Sequence, residues 1–320
     1  MSAAANADDA RSGVLIGLMA YTMWGVFPIY FKMVESVPPF EVLGHRILWA
    51  VPFGALIIAA RRQWREVGAA LVDRTMLAWL TLAAICISAN WFIYIWAIQN
   101  ERIFETSLGY YINPLMFVAV GALMLGERLR RLQGVAVGLA ASGVLYLTFS
   151  GGAFPWVALS LGALFTAYGV IRRQIAVGAM PGLFIETVLL LPFAAGWIGW
   201  LVVQGEAAIS GGSTGLAALL IAGGPITVVP LLFFAIAAKR VSLTTIGFLQ
   251  FLAPTLQFLV GVYYGEPLTP ARIVCFVCIW TAVLVFSFDA LRAVSYTHLR
   301  AHETIHAISY AVFCLKSGGG

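Results

Sequence analysis

The chain has 320 residues, 61% of them hydrophobic and only 10% charged, with a mean hydropathy of +0.93. A soluble core does not need that much apolar surface, and the formal charge of +5 sits in short basic clusters between apolar runs; this excludes a soluble nucleic-acid binder. An all-α integral membrane protein is expected, because a hydrocarbon layer about 30 Å thick needs about 20 apolar residues per helix, with every backbone group bonded inside the segment.

Ten apolar spans follow in chain order, at 13–33, 40–60, 76–98, 104–125, 132–149, 155–173, 182–203, 214–238, 243–264 and 270–290. Residues 1–12 are polar and lack a signal peptide's apolar stretch and cleavage site, so the first span is expected to act as its own insertion signal. With a cytoplasmic N-terminal tail over 1–12, the inside segments hold Arg11, Arg61, Arg62, Arg65, Arg74, Arg128, Arg130, Arg131, Arg172, Arg173, Lys239, Arg240 and Arg292. Outside stand only Lys32, Arg102 and Arg272, and the segments 150–154 and 204–213 carry no positive residue. This asymmetry predicts that both termini are cytoplasmic and that 150–154 is a periplasmic linker.

The chain repeats itself. Ala97, Ile98, Arg102, Thr106 and Gly109 recur in register as Ala235, Ile236, Arg240, Thr244 and Gly247. After a short slip, Pro114 is echoed by Pro254 and Gly126-Glu127 by Gly265-Glu266, while Trp24-Gly25-Val26 is answered by Tyr168-Gly169-Val170. An odd number of spans per half turns the second copy upside down. The expected architecture is therefore ten transmembrane helices in two inverted five-helix repeats, 13–149 and 155–293. Exchanging the conformations of two such halves opens one central site to alternate sides, which is the architecture of secondary transporters.

Ionisable and polar groups inside spans are functional candidates, with interfacial snorkelling and helix packing as the competing reading. Glu41, His45 and Arg46 lie in the outer half of the second span, with Glu41 and His45 one turn apart, and are read as an ionic cluster facing the interior. Such a cluster binds an anionic or zwitterionic solute or takes up a proton. Glu186 stands near the inner end of the seventh span, at the depth of Arg172 and Arg173; a structural ion pair or inner gate is favoured there over direct substrate contact. Glu41 or Glu186 is the carboxylate expected to couple transport to protons.

Asn90 and Asn113 fall at comparable depth on the third and fourth spans and could face one cavity. Trp91 and Tyr94 follow Asn90 at helical spacing, and Tyr110 and Tyr111 precede Asn113, which suggests an aromatic-walled pocket with amide donors. Packing plus an aromatic belt is the alternative, and Trp96 is assigned to the belt. Pro114 and Pro254 are expected to break their helices beside the site, with Gln250, Thr255, Gln257 and Thr227 supplying polar groups. Gly134, Gly138 and Ser142 form a small-residue stripe, read first as packing within the bundle and second as a homodimer contact. Cys275 and Cys278 lie in an apolar run and read as a buried thiol pair, so neither metal nor cofactor is expected. No Ser–His pair, aspartate pair or HExxH occurs within the spans, so an enzyme is not expected.

These residues together resemble the RarD-type branch of the EamA family, within the drug/metabolite transporter superfamily. The resemblance covers about 13–292. It rests on Trp24-Gly25 with Pro28, Tyr30 and Lys32; Glu41 with His45-Arg46 and Trp49; ANWFIYIWAIQN at 89–100; SLGYYINPL at 107–115; LGERL at 125–129; Tyr168-Gly169 with Arg172-Arg173; Glu186-Thr187 with Pro192; GGPITVVPLLFF at 223–234; and GFLQFLAPTLQFL at 247–259. The chain departs from the family pattern at Gln99-Asn100 and at Phe251. The resemblance implies an inner-membrane permease, a label of chloramphenicol sensitivity or resistance, and relatives that carry amino acids, other metabolites or drugs, often outward.

From Val294 the composition changes, and 294–320 resembles the conceptual translation of a sequencing-library adapter. The natural chain is then expected to be truncated or read through near Ala293. His298, His302 and His306 stand at i, i+4 and i+8, the spacing of a helical zinc site, but on the adapter reading they carry no function.

The resulting expectation is a permease that exports small metabolites or drugs by alternating access. Its partners are a small-molecule solute, the lipid bilayer and coupled protons, with no nucleic acid. The alternative is an uncoupled facilitator or channel-like pore.

Overall fold

A computed structural model describes residues 3–124, 130–150, 154–211, 213–241 and 243–289. The repeat pair Gly126-Glu127, Arg128 and Arg292, most of the linker at 150–154 and the whole tail lie outside the described residues.

The described residues are helical and contain no strand. In the first half α1 (Ala3–Gly25), α2 (Phe27–Met33), α3 (Pro39–Ala60), α4 (Trp64–Val72), α5 (Arg74–Gln99), α6 (Ile103–Met124) and α7 (Arg131–Ser150) follow one another. The second half holds α8 (Trp156–Arg173), α9 (Ala179–Gln204), α10 (Ala208–Gly211), α11 (Thr214–Ala237), α12 (Leu243–Leu249), α13 (Leu252–Tyr263) and a last helix, α14 (Pro270–Asp289). Nine helical stretches among the described residues are long and apolar enough to cross a membrane. The tenth span is α8, shorter and closed by Arg172 and Arg173. Helix α1 starts at Ala3, well before residue 13, because the Ala-rich leader has high helix propensity.

Local chemistry sets the ends. Asp73 accepts the backbone N–H groups of Thr75 and Met76 at 2.9 and 3.0 Å and starts α5. Gly205, at φ 74°, takes the left-handed conformation that stops α9. The first span is broken between α1 and α2, where Pro28 sits in the opening turn of α2. Proline removes the N–H that would bond the carbonyl four residues upstream, and that carbonyl, of Trp24, instead accepts a 3.3 Å bond from the Gln257 side chain of α13. Gly25 permits this approach, since a Cβ there would lie 2.6 Å from Leu256 Cβ.

Two expectations need correction. Helix α6 runs unbroken through Pro114, whereas the second copy does break, at Gln250 and Phe251 just ahead of Pro254. One lost intrahelical bond does not end a helix packed between α8 and α13. Among the described residues, the stripe of Gly134, Gly138 and Ser142 does not pack within the bundle: a Cβ on either glycine would meet nothing within 4 Å, and Ser142 is exposed. Gly143, one position further round α7, makes the close contact instead, with a built Cβ 2.7 Å from Cys278.

Among the described residues, the three larger of four core clusters hold the bundle together. One joins α2, α3, α5, α8 and α11 at the centre, a second joins α6, α7, α13 and α14, and a third joins α3, α4, α5 and α9. One pair of related helix contacts is unequally packed. Helix α3 runs closely along α11, where Gly224 sits so near Trp49 that a Cβ would lie 2.5 Å from its carbonyl. The inverted counterpart, α9 against α5, is much more loosely joined.

Candidate functional site

At the centre of the bundle, Arg46 lies about 10 Å along α3 from its N-terminal end, at seven residues of 1.5 Å rise. It is 5% exposed. Its Nε donates to Thr227 Oγ1 of α11 at 2.6 Å, and the threonine hydroxyl donates in turn to the Gly223 carbonyl at 2.8 Å. The guanidinium lies 4.2 Å from the Trp91 ring of α5 and 5.7 and 5.9 Å from Phe31 and Phe27. A cation over aromatic faces in a dry interior is strongly attracted to the ring quadrupoles.

Beside it, Tyr94 and Tyr110 pack with ring centroids 5.6 Å apart. The Tyr110 hydroxyl donates to Asn90 Oδ1 at 3.2 Å, and Asn90 Nδ2 donates to the Leu161 carbonyl of α8 at 3.0 Å. The Tyr94 hydroxyl is buried and has no hydrogen-bond partner among the described residues. Asn113 approaches the same turn of α8, 3.5 Å from a Cβ built on Gly162, and its Oδ1 is also without a partner there. Both asparagines thus meet the 161–162 backbone, and Tyr110 links Asn90 to the arginine's aromatic shell.

The expected Glu41–His45–Arg46 cluster splits. Consecutive helical residues point about 100° apart, so Glu41 and His45 share one face and Arg46 looks out on another. Glu41 Oε1 accepts the Ala208 N–H at the start of α10 at 2.7 Å and lies 3.7 Å from His45 Nε2. Neither His45 nitrogen hydrogen-bonds among the described residues. The same geometry separates Tyr111 from Tyr110: Tyr111 bonds Thr255 Oγ1 at 2.7 Å and packs on Phe251, Phe276 and Trp280. Gln250 stands half-buried at the helix break, and no described contact joins it to the Arg46 shell.

Near the N-terminal end of α9, Glu186 is fully buried, 3.5 Å from Arg172 Nη1, and accepts from the Tyr168 hydroxyl at 3.2 Å. Arg172 also donates to the carbonyls of Val177 and Gly178, which closes the α8–α9 turn. Arg173 is exposed and takes no part in this cluster.

The sequence reading missed Phe27 and Phe31, which complete the arginine's shell, and it quoted Tyr30, whose hydroxyl bonds the Leu219 carbonyl at 3.0 Å, without a role. Pro28 was the available signal, because the break it causes sets off α2, the short helix that carries Phe27, Tyr30 and Phe31 and packs against α5. Glu266 was also missed. It accepts the backbone N–H groups of Ile103 and Phe104, the latter at 3.0 Å, and its repeat mate Glu127 was the pointer. Burial raises the Glu266 pKa above the usual carboxylate range, against the lowering effect of those two N–H bonds and of nearby Arg272 and Lys32.

Residues 11–149 match the model of the EamA-like transporter family. An uncharacterized transporter of Vibrio cholerae is 43% identical over 287 residues, which span 89% of this chain and 95% of its own. Protein RarD of Streptomyces exfoliatus is 41% identical over 286 residues, spanning 89% and 91% respectively. In fold alone, the chain resembles one protein of known crystal structure, at 21% identity and a TM-score of 0.54, with 88% of this chain and 99% of that one covered.

Proposed function

Because the chain belongs to the RarD-type branch of the EamA-like transporter family, as a multi-pass protein of the bacterial inner membrane, we propose that it is a secondary exporter of small solutes working by alternating access. The solute site is the space around Arg46, Trp91, Tyr94 and Tyr110, between repeats 13–149 and 155–293. Both termini face the cytoplasm in this reading, as the distribution of basic residues supports.

The observation that carries the mechanism is the unequal packing of one pair of equivalent helix contacts. Two inverted copies of one sequence pattern have the same intrinsic preferences, yet α3 closes on α11 while α9 stands off α5. A transporter resting in one of two mirror-related states has this asymmetry, because the other state exchanges the two contacts. Proton coupling is assigned to Glu41, beside His45, or to Glu186, beside Arg172.

The test is transport in proteoliposomes preloaded with a bacterial metabolite extract, with and without an imposed proton gradient, reading each solute by mass spectrometry. Gradient-driven accumulation, and exchange accelerated by the same solute on the far side, are expected of alternating access. Collapse to equal concentrations with no such acceleration would establish the facilitator alternative.

A further inference from the structure

Arg46 differs from the other arginines that reach into the protein. Arg102 and Arg172, both half-buried, each have a carboxylate within 4 Å, at 3.6 and 3.5 Å, as does the exposed Arg130, at 3.3 Å. Arg46 is more deeply buried than any of these, and no acid among the described residues lies within that distance. The two nearest candidates by chain position or burial are committed elsewhere, Glu41 to Ala208 and His45, and Glu186 to Arg172 and Tyr168. A buried charge without a counter-charge is strongly unfavourable, so a site that keeps one is built for an ion that arrives from outside.

The geometry restricts what that ion can be. Nε is taken by Thr227, and the Trp91 ring lies 4.2 Å from the guanidinium carbon, so the two terminal nitrogens are left for an edge-on approach. Two parallel N–H donors in a planar fork match the two oxygens of a carboxylate. The unpartnered Tyr94 hydroxyl supplies a further donor in the same shell, within electrostatic range of the guanidinium. One cation neutralises one negative charge, and a second charge on the ligand would be left bare in a low-dielectric shell of Trp91, Phe27 and Phe31. Among the described residues no ion pair brings an acidic side chain to the guanidinium, where it could receive an ammonium group.

On the transport reading above, on which this inference rests, we propose that the solute is a monocarboxylate with an apolar or aryl body, its carboxylate held by Arg46. An amino group on that solute adds no affinity.

The test is calorimetric binding to the full chain in lipid nanodiscs, using 3-phenylpropionate, its amide and phenylalanine as probes. The acid is expected to bind at least about tenfold more tightly than the amide, and as tightly as phenylalanine or more so. Arg46→Gln is expected to make acid and amide equal, and Arg46→Lys to keep part of the preference, since it retains the charge and loses the fork. If Arg46→Gln does not fold, Thr227→Val provides the second variant and weakens the acid selectively by freeing Nε. Absence of acid binding, equal binding of acid and amide to the wild type, a preference that survives Arg46→Gln, or a clear preference for phenylalanine would each overturn the proposal. An acid that binds through Arg46 but never crosses a proteoliposome membrane would support the site and sink the transport reading. A neutral solute transported without any dependence on Arg46 would do the reverse.

Discussion

Glu266 Oε2 accepts the backbone N–H of Phe104 at 3.0 Å, while the other carboxylate oxygen accepts that of Ile103. The loop after α13, in the second half, thereby caps the first turn of α6, in the first half. The bare N–H groups and positive end of a buried helix start favour an acceptor there. Gly261 draws the two helices together at the same level, where a Cβ would lie 2.9 Å from the Phe104 ring.

Burial raises the Glu266 pKa despite these bonds, which means the folded protein holds this proton more tightly than the unfolded chain does. The stabilisation is therefore fully present below the unfolded carboxylate pKa and is lost as pH rises through the folded one. Thermal unfolding in detergent should show a midpoint that drops across that window in the wild type. Glu266→Gln, which cannot ionise, should flatten the drop, while Glu266→Ala should cost about 1–3 kcal/mol at any pH by leaving two N–H groups unpaired.

Gly224 allows α3 to lie against α11, so Gly224→Ala inserts a methyl group where the Trp49 backbone already stands. Overpacking of this kind costs about 1–3 kcal/mol. The predicted result is a lower unfolding midpoint and a shift of the resting state toward an open α3–α11 contact, read as faster thiol labelling of a cysteine placed on that face. Gly138→Ala, whose Cβ meets nothing among the described residues, is the control and should leave both readings unchanged.

Arg172 and Glu186 form a buried pair in which removal of either partner strands the other. Glu186→Ala should destabilise the protein by about 3–5 kcal/mol. The double variant Arg172→Met with Glu186→Leu should recover most of that loss, because it removes both desolvation costs. If the pair also serves as an inner gate, the double variant will fold normally yet transport poorly, a difference that proteoliposome flux measures directly.

Gln257 and Pro28 are coupled through the Trp24 carbonyl. Gln257→Leu alone should cost about 1 kcal/mol. In a Pro28→Ala background the alanine N–H can bond that carbonyl, so the cost of Gln257→Leu should shrink. A double-mutant cycle on unfolding midpoints reads the coupling, and additivity would argue against it.

Tyr110 and Tyr94 should behave differently although they are neighbours. Tyr110→Phe loses the bond to Asn90 and should cost about 1 kcal/mol of stability. Tyr94→Phe removes a hydroxyl with no partner among the described residues and should leave the unfolding midpoint unchanged while weakening solute binding.

Much of this molecule was legible in the chain itself. The ten spans, the inverted duplication and the membrane setting follow from local quantities: run length, charge between runs, and matched positions such as Arg102 with Arg240. Those features need no knowledge of what touches what, since the bilayer demands the same apolar length of every span. Arg172 with Glu186 was also readable, because both end spans at the same depth. Side-chain direction was the missing quantity. Glu41, His45 and Arg46 look like one cluster when counted by sequence distance, yet one residue's rotation turns Arg46 toward Thr227 and Trp91 and leaves Glu41 on Ala208. Tyr110 and Tyr111 part for the same reason. Pro114 and Pro254 are equivalent in sequence, and only one accompanies a break, because neighbouring helices decide whether a lost hydrogen bond can be borne. Depth and topology are set by the sequence and its solvent, whereas partners are chosen by packing among helices far apart in the chain, where one turn's difference in angle reassigns a charge from one neighbour to another.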